Sequence, residues 1–403
     1  MLDIPSVALI SEEFPPYMFG GIGSVCHDLA YSLAQRKVQT TVLCGRSRRV
    51  AVEKTNDYLR VVRVPFLDFP PRFLWFQLQN MRRSLRFLSN CAVLHAVSPA
   101  SATIWTYLKK RINSPLVSSV HGTPREGLEA FLSFPVSWWS LGDFGFHVLE
   151  YPVHRSLFWT TLRGSDHICV CSSTVLHNVN VYGHFSPDKI SLIYNGVNFD
   201  YIDSVKNEAA EDDGECSPAH TVLYSGRLFG PKGIMHMITA FYRLQKQIAD
   251  VNLKIFGSGP LEERAKKLVS ELGMKDRVCF GGFVPRRKLL AEVKSCDVVV
   301  LPSLVEAQPM SALEAMACRK PLVAFDMPYV REFLTDDYNA FLVPRGNVDD
   351  LCDRILTLLL DKKLRVRIGQ NAYRYVKANH NWNSLVDKYL EVYEKVTGMK
   401  RGR

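Results

Sequence analysis

The chain reads as α/β: two doubly wound parallel-sheet domains in tandem, with a cleft between them. Three observations predict it. Short apolar runs recur, each closed by a turn rich in Gly, Pro or Ser and followed by a helical pattern. Two such series exist, separated by a poorly apolar, acidic stretch, Glu208-Ala-Ala-Glu-Asp-Asp-Gly-Glu215. The 403 residues suffice for two or three domains, at roughly 100–200 residues each. The expected divisions are 1–200, 201–380 and a last segment 381–403.

The elements follow in order. Ser6–Ile10 is a first strand, closed by the breaker-dense loop Phe14-Pro-Pro-Tyr-Met-Phe-Gly-Gly-Ile-Gly23. A helix from about Ser24 to Gln35 places Val25, Leu29 and Leu33 on one face, and Val38–Leu43 is the next strand. Strand, Gly-rich loop, helix and strand begin a parallel doubly wound sheet. Ala92–Val97, Leu116–Val120 and His167–Cys171 continue it, with a helix beginning after Pro99. The stretch from Phe131 to Trp159 is rich in aromatics, including Trp138 and Trp139. The second series has strands at Thr221–Ser225, Asn252–Phe256, Val278–Gly281, Asp297–Leu301 and Pro321–Phe325. A last helix, about Asn383–Val396, aligns Leu385, Tyr389, Val392 and Val396. In such sheets ligands bind beyond the carboxyl ends of the strands.

Composition narrows the function classes. With 47% hydrophobic and 22% charged residues the chain buries a full core, which excludes global disorder, collagen and a bare coiled coil. No repeat of 20–50 residues marks a solenoid or propeller. The ten cysteines include no C-x-x-C pair and alternate with apolar residues, as buried thiols do. That usage suggests a reducing compartment, the cytoplasm. Asp3 and Pro5 interrupt any secretory leader, and the charge-free stretch near Phe87–Leu108 is too polar to span a bilayer. The net charge is +10, concentrated between Arg46 and Arg111, where 13 basic residues meet 3 acidic ones. Such a segment favours an anionic partner or forms a solvated basic face.

Four motifs carry chemistry. In Ser303-Leu-Val-Glu306-Ala-Gln-Pro-Met-Ser-Ala-Leu-Glu314 two carboxylates bracket a predicted helix start near Pro309. The free amides near Met310 and Ser311 favour a phosphate. Glu306 and Glu314 then accept hydrogen bonds from hydroxyls on either side of it, a pattern that fits a nucleotide sugar; the plainer alternative is a capped helix with one solvated Glu. Ser225-Gly-Arg227-Leu-Phe-Gly-Pro-Lys232-Gly233 puts two cations on a loop at a strand's end, suited to a diphosphate or to solvent. Gly20-Gly21-Ile-Gly23 matches a dinucleotide fingerprint only in part, but allows close backbone approach to a phosphate. His121-Gly122-Thr123-Pro124 sets a histidine at a strand's end, pointing into the cleft or bonded to backbone, and His95 is a weaker version of the same case. Gly281-Gly-Phe-Val284-Pro285 is one of two further glycine turns able to place backbone against a base. No D-x-D, Walker loop, H-E-x-x-H or G-x-S-x-G occurs, so no metal site is expected.

Together Glu13-Phe-Pro-Pro, Gly20-Gly-Ile-Gly23, Tyr194-Asn-Gly-Val197, Gly226-Arg227, Pro231-Lys232-Gly233 and the Glu306/Glu314 pair resemble retaining glycosyltransferases of family 4, the group 1 enzymes. The resemblance spans nearly the whole chain. It implies the GT-B fold, with two Rossmann-like domains and a last helix that crosses back to the first. It implies that Arg227 and Lys232 hold the donor diphosphate, Glu306 the sugar and Glu314 the ribose. Amides near Met310 and Ser311 and the Gly20–Gly21 turn would touch phosphate or sugar, His121 would lie beside the anomeric centre, and Val284 near the base. The donor would be a nucleotide-diphosphate sugar, used without cofactor or metal. Retention by front-face attack, with the leaving phosphate as base, is the family's usual account. One departure stands out: the family often has Gly-Phe-Gly after the first Glu, where this chain has Ala307-Gln308-Pro309, and proline has no amide to donate.

The acceptor is expected on the first domain, as a glycan or a lipid-linked molecule. Phe66–Phe87 mixes Phe73, Trp75 and Phe76 with Arg72, Arg82, Arg83 and Arg86. This suits an anionic membrane surface reached through the 66–111 segment, on the inner face of the membrane; the alternative is a core helix with a solvated basic side. A nucleotide-sugar 2-epimerase of the same fold and a basic nucleic-acid-binding protein are competing readings. No nucleic-acid motif supports the latter.

Overall fold

The computed structural model describes residues 6–17, 20–45, 49–67, 71–132, 150–206 and 220–398. Trp138, Trp139 and the acidic stretch 208–215 lie outside the described residues. Two parallel sheets organise the rest. The first has strands β1 (Val7–Ile10), β2 (Thr40–Cys44), β3 (Ala51–Lys54), β4 (Leu59–Arg63), β5 (Val93–Ala96), β6 (Leu116–Val120), β7 (His167–Val170) and β8 (Ile190–Leu192). Their spatial order is β3-β4-β2-β1-β5-β6-β7-β8. The second has β9 (His220–Ser225), β10 (Val251–Phe256), β11 (Val278–Gly282), β12 (Val298–Leu301), β13 (Leu322–Phe325) and β14 (Phe341–Val343), in the order β11-β10-β9-β12-β13-β14.

The central strands form because they are predominantly apolar, and their few polar residues, such as His95 and Ser119, bond to each other inside the core. Val7–Ile10, Val93–Ala96, Leu116–Val120, Val298–Leu301 and Leu322–Phe325 are buried at every position, as helix layers on both sides of a parallel sheet require. β3 is the exception. It runs antiparallel to β4 at the sheet edge and exposes Val52, Glu53 and Lys54; the two charges discourage pairing with another chain. Cys279, expected to be buried like the other thiols, is exposed on the edge strand β11.

In the first unit the helices are α1 (Gly21–Gln35), α2 (Arg72–Leu88), α3 (Thr103–Ile112), α4 (Pro124–Leu132), α5 (Tyr151–Gly164) and α6 (Ser173–Gly183). α1 begins at Gly21, three residues before the expected Ser24, with Gly20 as its extended N-cap. The second unit holds α7 (Phe199–Ser204), α8 (Ile234–Leu244), α9 (Glu262–Glu271), α10 (Arg286–Ser295), α11 (Met310–Ala317), α12 (Val348–Leu360) and α13 (Lys362–Asn379). Asn198, Asn347 and Asp361 cap α7, α12 and α13 by accepting from backbone amides of the first turn. The second unit runs from Val197 to Asn381, and the end of α4, from Glu129, groups with it.

The last helix, α14 (Trp382–Thr397), belongs to the first unit. Its Asp387 accepts from the Arg36 guanidinium at 3.0 and 3.1 Å. Its Tyr393 and Tyr389 are fully buried beside the sheet. Each unit has its own core, around Phe76, Trp105 and Leu94 in the first and Phe241, Ile255 and Phe325 in the second.

Candidate active site

In the second unit, β9 and β12 are hydrogen-bonded neighbours, with Val222 beside Val298. The loops leaving their carboxyl ends are therefore adjacent, and the Leu304 amide donates to the Pro231 carbonyl at 2.8 Å between them. The β9 loop makes a turn of 3-10 helix over Gly230–Lys232. Gly233 follows with φ +70°, and a Cβ there would sit 1.8 Å from the Pro302 carbonyl oxygen, so only glycine fits. The buried Tyr224 hydroxyl fastens the loop by sharing its one proton between the carbonyls of Arg227 and Lys232, at 3.2 and 3.3 Å.

This arrangement brings Lys232 onto Glu306. The ammonium donates to Glu306 Oε1, and Ser303 Oγ donates to the same oxygen at 3.3 Å. Both charged groups are partly exposed, at 23% and 13%, so the pair is not sealed in the core. Arg227, on the same loop, is exposed and carries its guanidinium 4.9 Å from the Phe229 ring centre.

α11 starts at Met310, with Pro309 as its N-cap and no side-chain cap bond. Its first amides have no acceptor within the helix, and the macrodipole adds partial positive charge there. Ser311 is half-buried and Met310 buried. Gln308, in the segment that departs from the family pattern, is buried and bonds His380 Nδ1 at 3.4 Å.

Glu314, expected to face a hydroxyl, is buried and already engaged. Arg286 Nε donates to its Oε1 at 2.6 Å, with each side chain 8% exposed. The guanidinium also lies 5.3 Å from the Tyr201 ring centre. Val284, half-buried two residues before Arg286, follows the turn at Gly282. The turns at the ends of β9, β10 and β11 are laced by backbone bonds, Gly226 to Phe256 and Gly257 to Gly282. A Cβ on Gly257, at φ +130°, would sit 1.9 Å from the Gly226 carbonyl.

In the first unit, β1 and β6 flank β5, so the Gly20–Gly21 turn and His121 belong to the same carboxyl edge. The Gly20 amide donates to Glu13 Oε2 at 3.1 Å, placing a carboxylate at the start of α1. Arg63, buried at the end of β4, holds this loop. Its Nη2 donates to the Pro15 carbonyl at 2.6 Å, its Nε to Glu53 at 2.7 Å, and its guanidinium lies 5.8 and 5.9 Å from the Phe14 and Tyr17 rings.

The two histidines at strand ends differ. His95 is structural: Nδ1 bonds the Tyr393 hydroxyl at 2.6 Å and Nε2 the Ser119 hydroxyl at 2.7 Å. Both ring nitrogens of His121 are buried, and the Asn195 side chain interacts with the ring. Burial lowers its pKa to about 4, with the neighbouring Asn195 pulling the other way, so the ring is neutral at pH 7.

Two family models match the chain in succession, Glycosyltransferase Family 4 over residues 19–201 and Glycosyl transferases group 1 over residues 206–375. The chain belongs to the group 1 glycosyltransferases. An uncharacterized glycosyltransferase of Methanocaldococcus jannaschii is 26% identical over 402 residues, covering 96% of this chain and 97% of the relative. Sucrose-phosphate synthase from Thermosynechococcus elongatus superposes with a TM-score of 0.81 at 19% identity, over 98% of this chain and 100% of that one. Anabaena HepE, in complex with UDP and glucose, superposes with a TM-score of 0.71 at 17% identity, over 96% and 99%. The fold of this glycosyltransferase is GT-B.

Sequence reasoning missed Arg286, Ser303, Tyr224 and Arg63, the residues that hold the glycosyltransferase's candidate groups in place. Each acts across 3 to 48 residues of chain, and none stands in a recognisable spacing. Among the described residues no group of three His, Cys, Asp or Glu stands where a metal ion could be held, and no helix is long and apolar enough to cross a membrane.

Proposed function

We propose that this glycosyltransferase moves a sugar from a nucleoside-diphosphate sugar to a glycan or lipid-linked acceptor, without a metal ion and with retention at the anomeric carbon. The observation that carries the reading is the Lys232–Glu306 pair, side by side at adjacent strand ends before the uncapped start of α11.

In this reading Lys232 and Arg227 neutralise the diphosphate, assisted by the amides of Met310 and Ser311. Glu306 orients the sugar and keeps the lysine ammonium aimed before the donor arrives. Glu314, fixed by Arg286, receives the ribose hydroxyls, and the Val284 backbone lies near the base. In the first unit the Gly20–Gly21 turn meets phosphate or sugar. Neutral His121 offers the donor sugar a hydrogen bond without adding charge. The bond from the anomeric carbon to the diphosphate oxygen breaks and its electron pair leaves with the diphosphate. The acceptor hydroxyl oxygen bonds to the same face, and its proton passes to the departing phosphate oxygen. The UDP and glucose held by HepE support a nucleoside-diphosphate donor.

The test is a panel of nucleotide sugars incubated with enzyme and acceptor in EDTA, with the product's anomeric configuration read by NMR. One donor consumed in EDTA, giving a product of the donor's own configuration, is expected. Strict dependence on added divalent metal, or inversion, would refute the corresponding part.

A further inference from the structure

The basic segment 46–111 is not one surface. Lys54 pairs with Asp57, Arg63 with Glu53, and Arg60 donates to Thr41 and to the Phe87 carbonyl. Beyond the loop around Arg49, the charge of the described residues collects on a layer of three helices. α2 packs on α3 through Phe76 and Trp105, and the Ile104 amide donates to Gln77 at 3.0 Å. α5 joins both: Thr161 bonds Thr103 at 2.8 Å, and His154 stands edge-on to Phe73 at 5.2 Å. Only Gly164 fits against Thr106, where a Cβ would come within 2.8 Å.

None of these three helices contains an acidic residue. Lys109 is taken up by Asp166 at 2.8 Å, and Glu150 lies near Arg72. The other cations point to solvent: Arg82, Arg83 and Arg86 from α2, then Lys110 and Arg111 from α3, with Arg155 and Arg163 from α5. Large apolar side chains stand exposed among them, Leu78 at 52%, Tyr107 at 70% and Val153 at 40%.

We propose that the α2–α3–α5 face docks this enzyme on a bilayer of anionic phospholipid. The charge is one-signed and spread over three helices, which matches a planar lattice of phosphate headgroups. The exposed Leu78, Tyr107 and Val153 suit the interfacial zone, where aromatic and aliphatic groups enter beside cations. Aliphatic residues contribute little to a phosphate backbone in water, so the mixture favours lipid over nucleic acid. The inference stands apart from the donor reading, because it uses none of the residues assigned to the donor.

The experiment is flotation of the full chain with vesicles of equimolar phosphatidylglycerol and phosphatidylcholine, and with pure phosphatidylcholine, near physiological ionic strength. Binding only to the anionic vesicles is expected. Each surface cation removed weakens it by about fivefold, so Arg82→Gln/Arg83→Gln/Arg86→Gln loses about 100-fold, with melting temperature unchanged. Lys110→Gln/Arg155→Gln, on the other two helices, falls by a smaller factor. Leu78→Ser/Val153→Ser reduces the salt-resistant part. Equal binding to both vesicles, no binding to either, or retention on duplex DNA without vesicle binding would overturn the proposal.

Discussion

Lys232 donates a hydrogen bond to the Glu306 carboxylate across 74 residues of chain, and the pair exists because β9 and β12 are neighbours in the second sheet. A lysine held by a carboxylate is a charge already aimed. Incoming diphosphate would find the ammonium in place, and the reorganisation at the moment of reaction is small.

Glu306→Ala should lower turnover by at least about 100-fold, the scale of a lost preorganised contact. The side chain is partly exposed, so the fold should survive. Steady-state kinetics with the identified donor checks this; near-normal kcat would remove Glu306 from the reacting centre.

Arg286→Ala leaves the buried Glu314 carboxylate without its cation. A loss of about 3–5 kcal/mol in urea unfolding is expected. Arg286→Met combined with Glu314→Leu should recover most of that stability but not donor binding. Recovery of both would show that the pair is architectural only.

Gly233→Ala should destabilise the second unit by at least about 1–3 kcal/mol, through the left-handed φ and the clash with the Pro302 carbonyl. Because Lys232 precedes it, donor affinity should fall in the surviving folded fraction. Unchanged melting and affinity would contradict the geometry.

His95, His121 and His154 are held neutral by burial, at about 3, 4 and 4, against about 6.5 in an unfolded chain. Between about pH 6.5 and 4 the unfolded state binds more protons than the folded one. Stability therefore rises with pH in that window and is lost as pH falls through it. Urea unfolding at pH 7 and pH 5 should show the drop, and His95→Gln should remove about one proton from its slope. A stability flat across this window would contradict the burial of these rings.

The central strands were legible because residues buried on both faces leave unbroken apolar runs, as in Val298–Leu301. The short edge and flanking strands β3, β4, β8 and β14 were not. Ala51–Lys54 has no apolar run, and its pairing is set by the neighbouring β4. At the site, Lys232 and Glu306 were visible as residues, but their pairing depends on strand order, which spacing does not encode. Glu314 reads in sequence as an acceptor on a helix, whereas Arg286, 28 residues away, decides its electrostatics. His95 and His121 look alike at strand ends; what separates them is that the hydroxyls of Tyr393 and Ser119 fix His95, whereas Asn195 stands beside His121.

The most direct test is thermal shift of wild type and Lys232→Ala in EDTA with UDP, GDP, ADP and their sugar conjugates. Ligand at about 100 times its Kd adds about 2.7 kcal/mol, or roughly 5–11 °C for domains of this size. The Lys232–Glu306 account predicts a shift with one base, abolished in Lys232→Ala. An equal shift in both proteins, or none with any nucleotide, would contradict it.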